Sequence, residues 1–470
     1  MITGVGAAVE GGDGAGAEGL QVTVPPPPPS FWLETCGVVD APTPPLRGRH
    51  RVDVVVVGAG FAGLSTALAL RRSEPSLRVL VLDGCAIGHG ASGRNAGFAM
   101  TLFGLTVQTT VLRFGKQRAR EAHAFMKRAV SNVERLVRDD GVQCDFEMSG
   151  LLTVATSKAY EKRLQSEIAT ARSAGIDDVE WLDAAATRAR VESPAYRGAR
   201  WEAHSALVNP ARLAHALGRL AREAGAEIHE GVPVRAVRVS RPFTAPVLVE
   251  TEEAQIEAAR VVLATNAWSS LFPSLASKQF PVFTYIVVTE PLDDARLAPI
   301  RWHGREGIED ARALIHYYRL TPDNRLLMGG GDAFYYLGGG FGRDQNEAAA
   351  AALRAHVARV FPSLRGVRFT HHWGGPVSVP LDFAPAMGWL GSDRRIVYSL
   401  GCVGHGVALM TMAGNVLSDL VLERDTELTR QFFVNRFVPP TPPDPFRWVL
   451  AQGIRGAMKL ADRFDDARPR

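Results

Sequence analysis

The fold is decided by the stretch VDVVVVGAGFAGL at residues 52–64. Residues 52–57 form a run rich in β-branched side chains, glycines follow at once, and an apolar helical pattern begins at Leu64. A second short apolar run, residues 77–82, comes one helix length later. Strand, tight turn, helix and second strand in this order predict a βαβ unit with a parallel strand pair.

The glycines of this stretch, Gly58, Gly60 and Gly63, match the pattern GxGxxG. In a βαβ unit the first glycine turns the chain, the second lets the backbone approach a pyrophosphate, and the third allows close packing of the helix on the sheet. Asp83 lies 20 residues after Gly63, where an acid accepts hydrogen bonds from a ribose hydroxyl. The alternative is a structural glycine turn and an ordinary turn aspartate, but the combined features predict a dinucleotide site.

Two further glycine-rich segments indicate which dinucleotide is bound. Residues 88–97 follow the second strand with small residues that let backbone pack against a flat ring, and with donors in Ser92, Arg94 and Asn95. A nicotinamide-binding fold has no need of this loop. Residues 401–407 lead into an apolar helix pattern, so that free N–H groups at its start would face an electron-rich oxygen. The alternative for this second segment is a structural connection with a buried, satisfied histidine, His405.

Length and composition exclude several classes of protein. A chain of 470 residues exceeds the size at which one hydrophobic core stops growing, so at least two domains are expected. The content of 46% hydrophobic and 22% charged residues is that of a globular protein, and the apolar runs are too short to span a bilayer. The net charge of +4 comes from scattered basic residues, which argues against nucleic acid as a partner.

The cysteines and the N-terminus bear on the compartment. Cys36, Cys85, Cys144 and Cys402 lie far apart without metal-ligand spacing, so neither a disulfide framework nor a zinc site is predicted. Residues 1–19 carry no Lys or Arg ahead of an apolar stretch, as a secretory signal would. These features predict a cytoplasmic protein with no bound metal.

Further motifs carry a resemblance to a known family. They are Ser30-Phe31-Trp32, GxGxxGL at 58–64, Ala91-Ser92-Gly93-Arg94-Asn95, residues 262–268, Tyr317-Tyr318-Arg319, residues 325–330, Trp373-Gly374-Gly375 with Asp382 and Pro385, and Gly404-His405-Gly406. In this order and spacing the sequence resembles the D-amino acid oxidase (DAO) superfamily of FAD-dependent amine and amino-acid oxidoreductases, in the branch of the gamma-glutamylputrescine oxidases. The resemblance covers nearly all of residues 30–438.

The resemblance implies a non-covalent FAD, with the loop of residues 91–95 beside the isoalloxazine, Val234 against adenine through its backbone, and residues 401–408 at the pyrimidine edge. Negative charge develops at that edge when the flavin is reduced. The cofactor-binding residues that the motifs and the resemblance together predict are Gly58, Gly60, Phe61, Ala62, Gly63, Asp83, Gly84, Ala91, Ser92, Gly93, Arg94, Asn95, Ala96, Val234, Ala264, Thr265, Trp268, Gly401, Gly404, His405, Gly406 and Val407.

Three departures from the sarcosine oxidase branch narrow the substrate and the cofactor linkage. Ala408 stands where that branch has a lysine that binds the substrate carboxylate, so an α-amino acid is disfavoured. Ser378 stands where the branch has the cysteine that attaches its flavin. Leu327 stands near the position at which that branch has a lysine that assists the reaction with oxygen. The resemblance therefore supports oxidase activity less strongly than flavin binding.

The motif positions and the resemblance together predict an α/β fold, with a Rossmann-like FAD-binding domain and a discontinuous, mainly antiparallel-sheet α+β substrate domain. The predicted boundaries are 30–105, 191–270 and 375–438 for the FAD-binding domain, 106–190 and 271–374 for the substrate domain, 1–29 for a disordered tail with a polyproline spacer, and 439–470 for a proline-rich linker and C-terminal helix.

The implied reaction oxidises an amine C–N bond by hydride transfer to the flavin, followed by imine hydrolysis and reoxidation by O2 to hydrogen peroxide. The flavin supplies the chemistry, so no side-chain base is required. Candidates for the pocket wall are His316, Tyr318 and His405, and each has a structural alternative. Arg319 is either an anion partner or a structural ion pair.

The expected substrate is an amine without a free α-carboxylate, such as a gamma-glutamyl amine or a polyamine, and the expected assembly is a monomer or a homodimer. One alternative is a dehydrogenase that passes electrons to a quinone or carrier, with residues 446–463 as a docking surface. A biosynthetic tailoring flavoenzyme and a flavin-binding protein without turnover are the others.

Overall fold

The computed structural model describes residues 30–37, 43, 45–239 and 245–467. The predicted tail and spacer at 1–29 lies outside these residues. The helices are α1 Phe31–Thr35, α2 Phe61–Ser73, α3 Val107–Asp140, α4 Lys158–Ser173, α5 Ala184–Arg190, α6 Pro210–Glu223, α7 Pro273–Ala276, α8 Asp294–Leu297, α9 Glu347–Val360, α10 Gly406–Val421 and α11 Phe446–Ala467. The strands are β1 Gly48–Val57, β2 Val79–Leu82, β3 Phe98–Ala99, β4 Leu151–Ala155, β5 Glu180–Asp183, β6 Gly198–Glu202, β7 Ala206–Leu207, β8 Glu227–His229, β9 Ala236–Arg238, β10 Val247–Glu250, β11 Ala254–Leu263, β12 Phe280–Thr289, β13 Gly307–Asp310, β14 His316–Leu320, β15 Leu326–Gly330, β16 Phe369–Val379, β17 Ala386–Leu390 and β18 Ile396–Leu400.

The first sheet contains the predicted βαβ unit. Its strands lie in the order β17-β18-β11-β1-β2-β8, with β10 and β9 attached beside β11. Strands β18, β11, β1, β2 and β8 run parallel, and Val54 of β1 pairs with Val79 of β2. Because crossover helices cover a parallel sheet, the four valines that end β1 are all buried, as the unbroken apolar run predicted.

The second sheet is mainly antiparallel, in the order β16-β12-β15-β14-β13-β4-β6-β5. Its one parallel pair is β13 with β4, among the strands that the structure describes. Helix α9 packs on its outer face in a core with Tyr318, Trp302 and Phe361. The predicted α/β fold class, with a second antiparallel α+β unit, is confirmed.

The strand pairing places the boundaries between the two units differently from the sequence prediction. Strand β6 belongs to the second sheet although it lies after residue 190, and β16 continues that sheet past residue 374. Helix α3, assigned to the substrate domain, packs against α10 and buries Phe125, Met126 and Val130 in the same core as α2. This packing could not be predicted from sequence, because amphipathic periodicity identifies a buried face and not its partner.

The C-terminal helix forms as predicted and extends to Ala467. It lies against the second unit, where it contacts α4. In the part of the chain that the structure describes, no helix is long and apolar enough to cross a membrane.

Candidate functional site

Four segments of the predicted site meet at one edge of the first sheet. Strands β18, β11, β1 and β2 are adjacent and parallel, so their carboxyl ends share that edge. The predicted residues at 58–63, 83–96, 264–268 and 401–407 directly follow these strands. Ligands of open α/β sheets bind at this edge, which makes it the candidate site.

The glycine turn between β1 and α2 is required by close backbone approach. Gly58 has φ of +109°, and a Cβ on it would lie 2.6 Å from the Ala264 carbonyl oxygen. A Cβ on Gly63 would lie 1.8 Å from the Gly58 carbonyl oxygen. A Cβ on Gly60 would meet only the Ser92 side chain, at 2.8 Å from Oγ. Gly60 therefore opens towards the site, whereas the other two glycines serve the packing.

Asp83 braces this turn in the structure. Its carboxylate accepts hydrogen bonds from the backbone N–H groups of Ala59, at 2.6 Å, and Cys85, at 2.8 Å. Burial raises the pKa of Asp83, and these two N–H groups oppose that rise. Val234 lies nearby in the loop after β8, where Val232 donates to the Asp83 carbonyl oxygen. A ribose contact by Asp83 remains a prediction.

The loop that begins at Ala91 is fixed from both sheets. Ser92 Oγ accepts from the Phe61 N–H at 2.9 Å, and the Asn95 amide donates to the Ala91 and Ser92 carbonyl oxygens. Arg94 Nη1 donates to Asp344 Oδ1 at 2.6 Å and to the Gly374 carbonyl oxygen. Arg94 therefore links the loop to the second unit, and its Nη1 is already engaged in hydrogen bonds within the protein.

Arg319 holds the end of the same loop. Its buried guanidinium donates to the carbonyl oxygens of Ala96, Gly97 and Val208 and lies over the Trp32 ring. Burial lowers the pKa of Arg319 to about 10. The sequence left two roles open for Arg319, an anion partner or a structural ion pair. In the structure its guanidinium instead binds backbone carbonyl oxygens.

Two helices begin at the site without a capping side chain on the N-cap residue, although Ser92 Oγ accepts from the first N–H group of α2. The helices α2 and α10 start after Gly60 and His405, and neither residue's side chain caps the helix. Seven other helices have a capping side chain, from Ser30, Thr106, Ser157, Asp183, Asn209, Asp293 and Asn346. Uncapped N–H groups and the positive end of the helix dipole attract anionic or electron-rich groups.

His405 faces the space above the site as a neutral imidazole. Burial lowers its pKa to about 4, although a hydrogen bond with the Gly104 backbone opposes this. Its Nδ1 makes no hydrogen bond with the described residues. An unpartnered imidazole nitrogen, the starts of two helices and the space beside Gly60 fit a flavin dinucleotide, with pyrophosphate at α2 and a ring edge at α10.

A cavity of about 590 Å³ joins this edge to the second sheet. On the cofactor side it is lined by Ala91, Arg94, Asn95, Ala96, Gly404, His405 and Val407. On the sheet side it is lined by apolar side chains and Tyr317, whose ring lies edge-on to Phe98 at 6.0 Å. Burial raises the pKa of Tyr317 to about 12, so its hydroxyl is protonated.

His316 and Tyr318 do not line this cavity, contrary to the sequence prediction. Successive side chains of a strand point to opposite faces, and Tyr317 occupies the cavity face of β14. The Tyr318 hydroxyl hydrogen-bonds Tyr196 at 2.8 Å on the other face. His316 stacks on His356 there, with ring centroids 3.6 Å apart.

Asp310 completes a cluster with these two histidines, and its carboxylate already accepts from His316 Nδ1 at 2.8 Å and from Arg312 Nη1 at 3.0 Å. These contacts make the cluster an ion-pair network. The sequence interpretation missed it because the three residues come from β13, β14 and α9.

The far wall of the cavity is polar and was not predicted. It carries Thr153 of β4, Glu167 of α4, Arg200 of β6 and Glu309 of β13. Glu309 accepts from Thr153 Oγ1 at 2.9 Å, and Arg200 Nη2 donates to the same hydroxyl at 3.2 Å. Parallel pairing of β13 with β4 brings these residues together, which no local motif signals.

Helix α11 closes another side of the cavity with Ala451, Ile454, Arg455 and Met458. Arg455 pairs with Asp332 through two hydrogen bonds of 2.7 Å, and Lys459 reaches the same carboxylate at 2.6 Å. Asp462 accepts from the backbone N–H groups of Ala313 and Leu314. The helix is therefore docked through its polar residues.

The three departures from the sarcosine oxidase branch fall in packed positions. Ala408 is fully buried in the core beside α2, and Leu327 is fully buried among apolar side chains that include Trp373. Ser378 accepts a hydrogen bond from the Gly401 N–H at 2.8 Å and bonds the Gln279 side chain. None of the three reaches the cavity in the structure.

Comparison with known proteins agrees with this geometry. Residues 53–420 match the family model described as FAD dependent oxidoreductase, DAO. The chain is 30% identical over 383 residues to gamma-glutamylputrescine oxidoreductase of Escherichia coli, covering 81% of this chain and 86% of that protein. It is 27% identical over 391 residues to a probable oxidoreductase, OrdL, of Haemophilus influenzae, covering 82% and 86%. The fold is similar to glycine oxidase from Geobacillus kaustophilus, with a TM-score of 0.70 at 21% identity, covering 83% of this chain and 100% of that chain.

Proposed function

Because this chain belongs to the DAO family of FAD-dependent oxidoreductases, we propose that it is an amine oxidase. FAD, when bound, supplies the hydride acceptor. A primary amine, water and O2 would give an aldehyde, ammonia and hydrogen peroxide. The substrate would be an amine that bears no carboxylate on its reacting carbon, such as a gamma-glutamyl amine or a polyamine.

The residues proposed to hold FAD are those gathered at the sheet edge. The start of α2 would bind the pyrophosphate, Asp83 would bind a ribose hydroxyl, and Val234 would meet adenine through its backbone. The loop 91–96 would lie beside the ring, and the start of α10 would donate to its pyrimidine edge. The attachment would be non-covalent, since Ser378 replaces a thiol.

The observation that carries the substrate class is the cavity with its paired arginines. Each arginine that lines it already faces a carboxylate. The pairs are Arg94 with Asp344, Arg163 with Asp465, Arg200 with Glu167 and Glu309, Arg312 with Asp310 and Asp466, and Arg455 with Asp332. Among the described lining residues every arginine is paired, which disfavours an α-amino acid as the substrate.

The side of the cavity formed by the second sheet also meets the requirements of amine oxidation. The amine must lose its proton before its carbon can give up a hydride, and a mainly apolar wall around Ile286 and Tyr317 favours the neutral amine. His405 is neutral, so it adds no positive charge that would repel a substrate cation entering the cavity. The chain's part is therefore to position the carbon and to exclude water.

The test is peroxide formation by the purified holoprotein in air with a panel of amines. We expect 1,4-diaminobutane or its gamma-glutamyl amide to give peroxide and aldehyde, and glycine or sarcosine to give little. A colourless protein that releases no FAD on heating would contradict the proposal for this chain. Preferential oxidation of α-amino acids would overturn the substrate class.

A dehydrogenase that reduces a membrane quinone is a second candidate, favoured by the outer face of α11. That face exposes Phe446, Val449, Leu460 and Phe464, with 68%, 59%, 53% and 64% of each residue accessible. An amphipathic helix with outward aromatic and aliphatic side chains binds lipid interfaces. Amine-dependent reduction of a soluble quinone without peroxide would select this candidate over the oxidase.

A further inference from the structure

The outer side of α11 is a continuous apolar stripe. With 3.6 residues per turn, positions 446, 449, 453, 457, 460 and 464 lie along one side of the helix. All six positions are exposed, and they hold Phe446, Val449, Gly453, Ala457, Leu460 and Phe464. The charged residues of the helix dock its opposite side on the second unit. Within the part of the chain that the structure describes, nothing covers the stripe.

The order of side-chain sizes along the stripe is symmetric about position 455. Phenylalanines stand at both ends, nine residues before that position and nine residues after it. Val449 and Leu460 come next, and Gly453 and Ala457 lie two residues from the centre on either side. A two-fold interface uses the same patch on both copies. A patch that reads alike from either end therefore complements itself when two copies lie antiparallel.

Two glycines in the middle of the outer side have no role within the chain. Gly453 and Gly456 lie inside the helix without a positive φ, and a Cβ on either would meet no described atom within 4 Å. Glycine makes a helix less stable than alanine does, and no neighbour within the protomer requires it here. Glycine does allow the backbone of another helix to come close. These two positions therefore indicate a helix that packs on this side from outside the protomer.

We propose that the stripe is the contact surface of a homodimer, in which the α11 helices of two copies pack antiparallel about a two-fold axis near position 455. Phe446 then lies beside the partner's Phe464, and Gly453 lies beside the partner's Ala457, where the two helix axes come closest. A lipid surface would be bound best by large side chains along the whole stripe. A narrow middle between large ends favours a second helix instead.

The homodimer would support the wall of the cavity. Asp462 is the one buried residue of α11 among those described, so the helix is held by few contacts within its own protomer. Ile454 and Met458 line the cavity from the side of the helix that faces the protein. A partner helix on the outer stripe would hold α11 against the cavity. This role does not depend on which reaction takes place there.

Sedimentation velocity of the holoprotein over a hundredfold range of concentration tests the self-association. We expect a reversible dimer for the wild type and a dissociation constant at least tenfold higher for Phe464→Glu. Trp448→Glu is the matched control, because it makes the same change at an exposed aromatic residue of α11 that lies off the stripe, and it should leave the constant unchanged. A wild type that stays monomeric throughout would overturn the proposal.

Gly453→Leu tests the close approach of the two helices. Leucine has a higher helix propensity than glycine, so the protomer should fold at least as well as the wild type. The added side chain would hold the two backbones apart, and the dissociation constant should again rise at least tenfold. A dimer that is equally tight in Gly453→Leu and Phe464→Glu would contradict the assignment to this stripe.

Disulfide cross-linking tests the antiparallel arrangement. Phe446→Cys and Phe464→Cys proteins with different tags should form a disulfide-linked heterodimer when they are mixed and oxidised. Neither should cross-link alone, because identical positions would lie about 27 Å apart along the paired helices. Cross-linking of each variant with itself, beyond that of the wild type, would contradict the antiparallel pairing. A monomer that floats with vesicles of phosphatidylglycerol and phosphatidylcholine would assign the stripe to a lipid surface and overturn the proposal.

Discussion

Gly60 and Gly63 lie three residues apart, yet a side chain at each would meet different atoms. At Gly63 the obstacle is the Gly58 backbone oxygen at 1.8 Å, and at Gly60 it is only the movable end of Ser92. We expect Gly60→Val to fold but to lose FAD, because its side chain would occupy the position proposed for the pyrophosphate. Gly63→Ala should destabilise the protein itself, since backbone cannot move aside.

The measurement is the ratio of FAD to protein by absorbance, with thermal unfolding of the apoprotein. The expected result is an apoprotein melting temperature near wild type for Gly60→Val and one several degrees lower for Gly63→Ala. A Gly60→Val protein that stays yellow would contradict the proposed phosphate site.

Glu202 gives a residue-scale prediction about pH. Burial raises its pKa to about 7, with Asp178 and Glu309 adding to the rise and Arg200 and Lys127 opposing it. Between pH 4.5 and about 7 the folded state holds a proton that the unfolded state releases, so this contribution to stability is lost as pH rises. Glu202→Gln should flatten that loss, which is at most about 3 kcal/mol.

The check is the free energy of unfolding of both proteins by urea at several pH values. The stability of Glu202→Gln relative to wild type should increase from pH 5 to pH 8. A difference that is independent of pH would show that the Glu202 pKa is ordinary in the folded state.

Single residues of the cavity could be predicted only in part. The pattern Tyr317-Tyr318-Arg319 marked the right strand, but the choice of Tyr318 depended on knowing which face of β14 meets the cofactor loop. Both faces of this strand are buried, Tyr318 in a second core and Tyr317 at the cavity, so alternation of polarity gave no signal.

At the scale of elements, α11 is a helix with ion pairs on the face that meets the protein and large apolar side chains on its outer face. Its charged residues Arg455, Lys459 and Asp462 face the protein, and apolar side chains such as Phe464 face outward. Composition identified the helix, but its periodicity alone suggests the opposite orientation. The orientation of the helix is set by its contacts with the Asp332 carboxylate and by the backbone N–H groups that bind Asp462.

The docking of α11 predicts the effect of Asp332→Asn. This change removes the carboxylate that Arg455 and Lys459 share, and partly exposed pairs of this kind contribute about 1 kcal/mol or less each. We expect hydrogen exchange across α11 to accelerate several-fold and KM for the amine to rise. Asp425→Asn, which breaks the exposed pair with Arg430, is the control and should change neither.

For the whole molecule, the cofactor edge could be predicted because parallel strands bring their carboxyl ends together. Parallel pairing of β11 and β18 with the βαβ unit brings the segments that follow them, 264–268 and 401–407, to the same edge. The far wall could not be predicted in this way. Its strands β4, β6 and β13 come from distant parts of the chain, and their pairing is fixed by tertiary packing.

This division of the molecule yields a final prediction about truncation. The polar contacts of α11 are with the second unit, at Asp332, at Tyr160 and at the backbone of Ala313 and Leu314. Only Asp462 of the helix is buried, so a chain ending after residue 445 uncovers little core. We therefore expect the truncated protein to retain FAD at a ratio near wild type, because the proposed cofactor contacts lie on the first sheet.

The cavity, in contrast, loses one side. Acrylamide should quench flavin fluorescence more strongly in the truncated protein, and KM for the amine should rise at least tenfold, since water enters where Ile454 and Met458 lay. A protein ending after residue 467 is the matched control and should behave as wild type. Loss of FAD on truncation at 445 would mean that α11 supports the cofactor domain, whereas unchanged quenching and KM would mean that the helix does not close the cavity in solution.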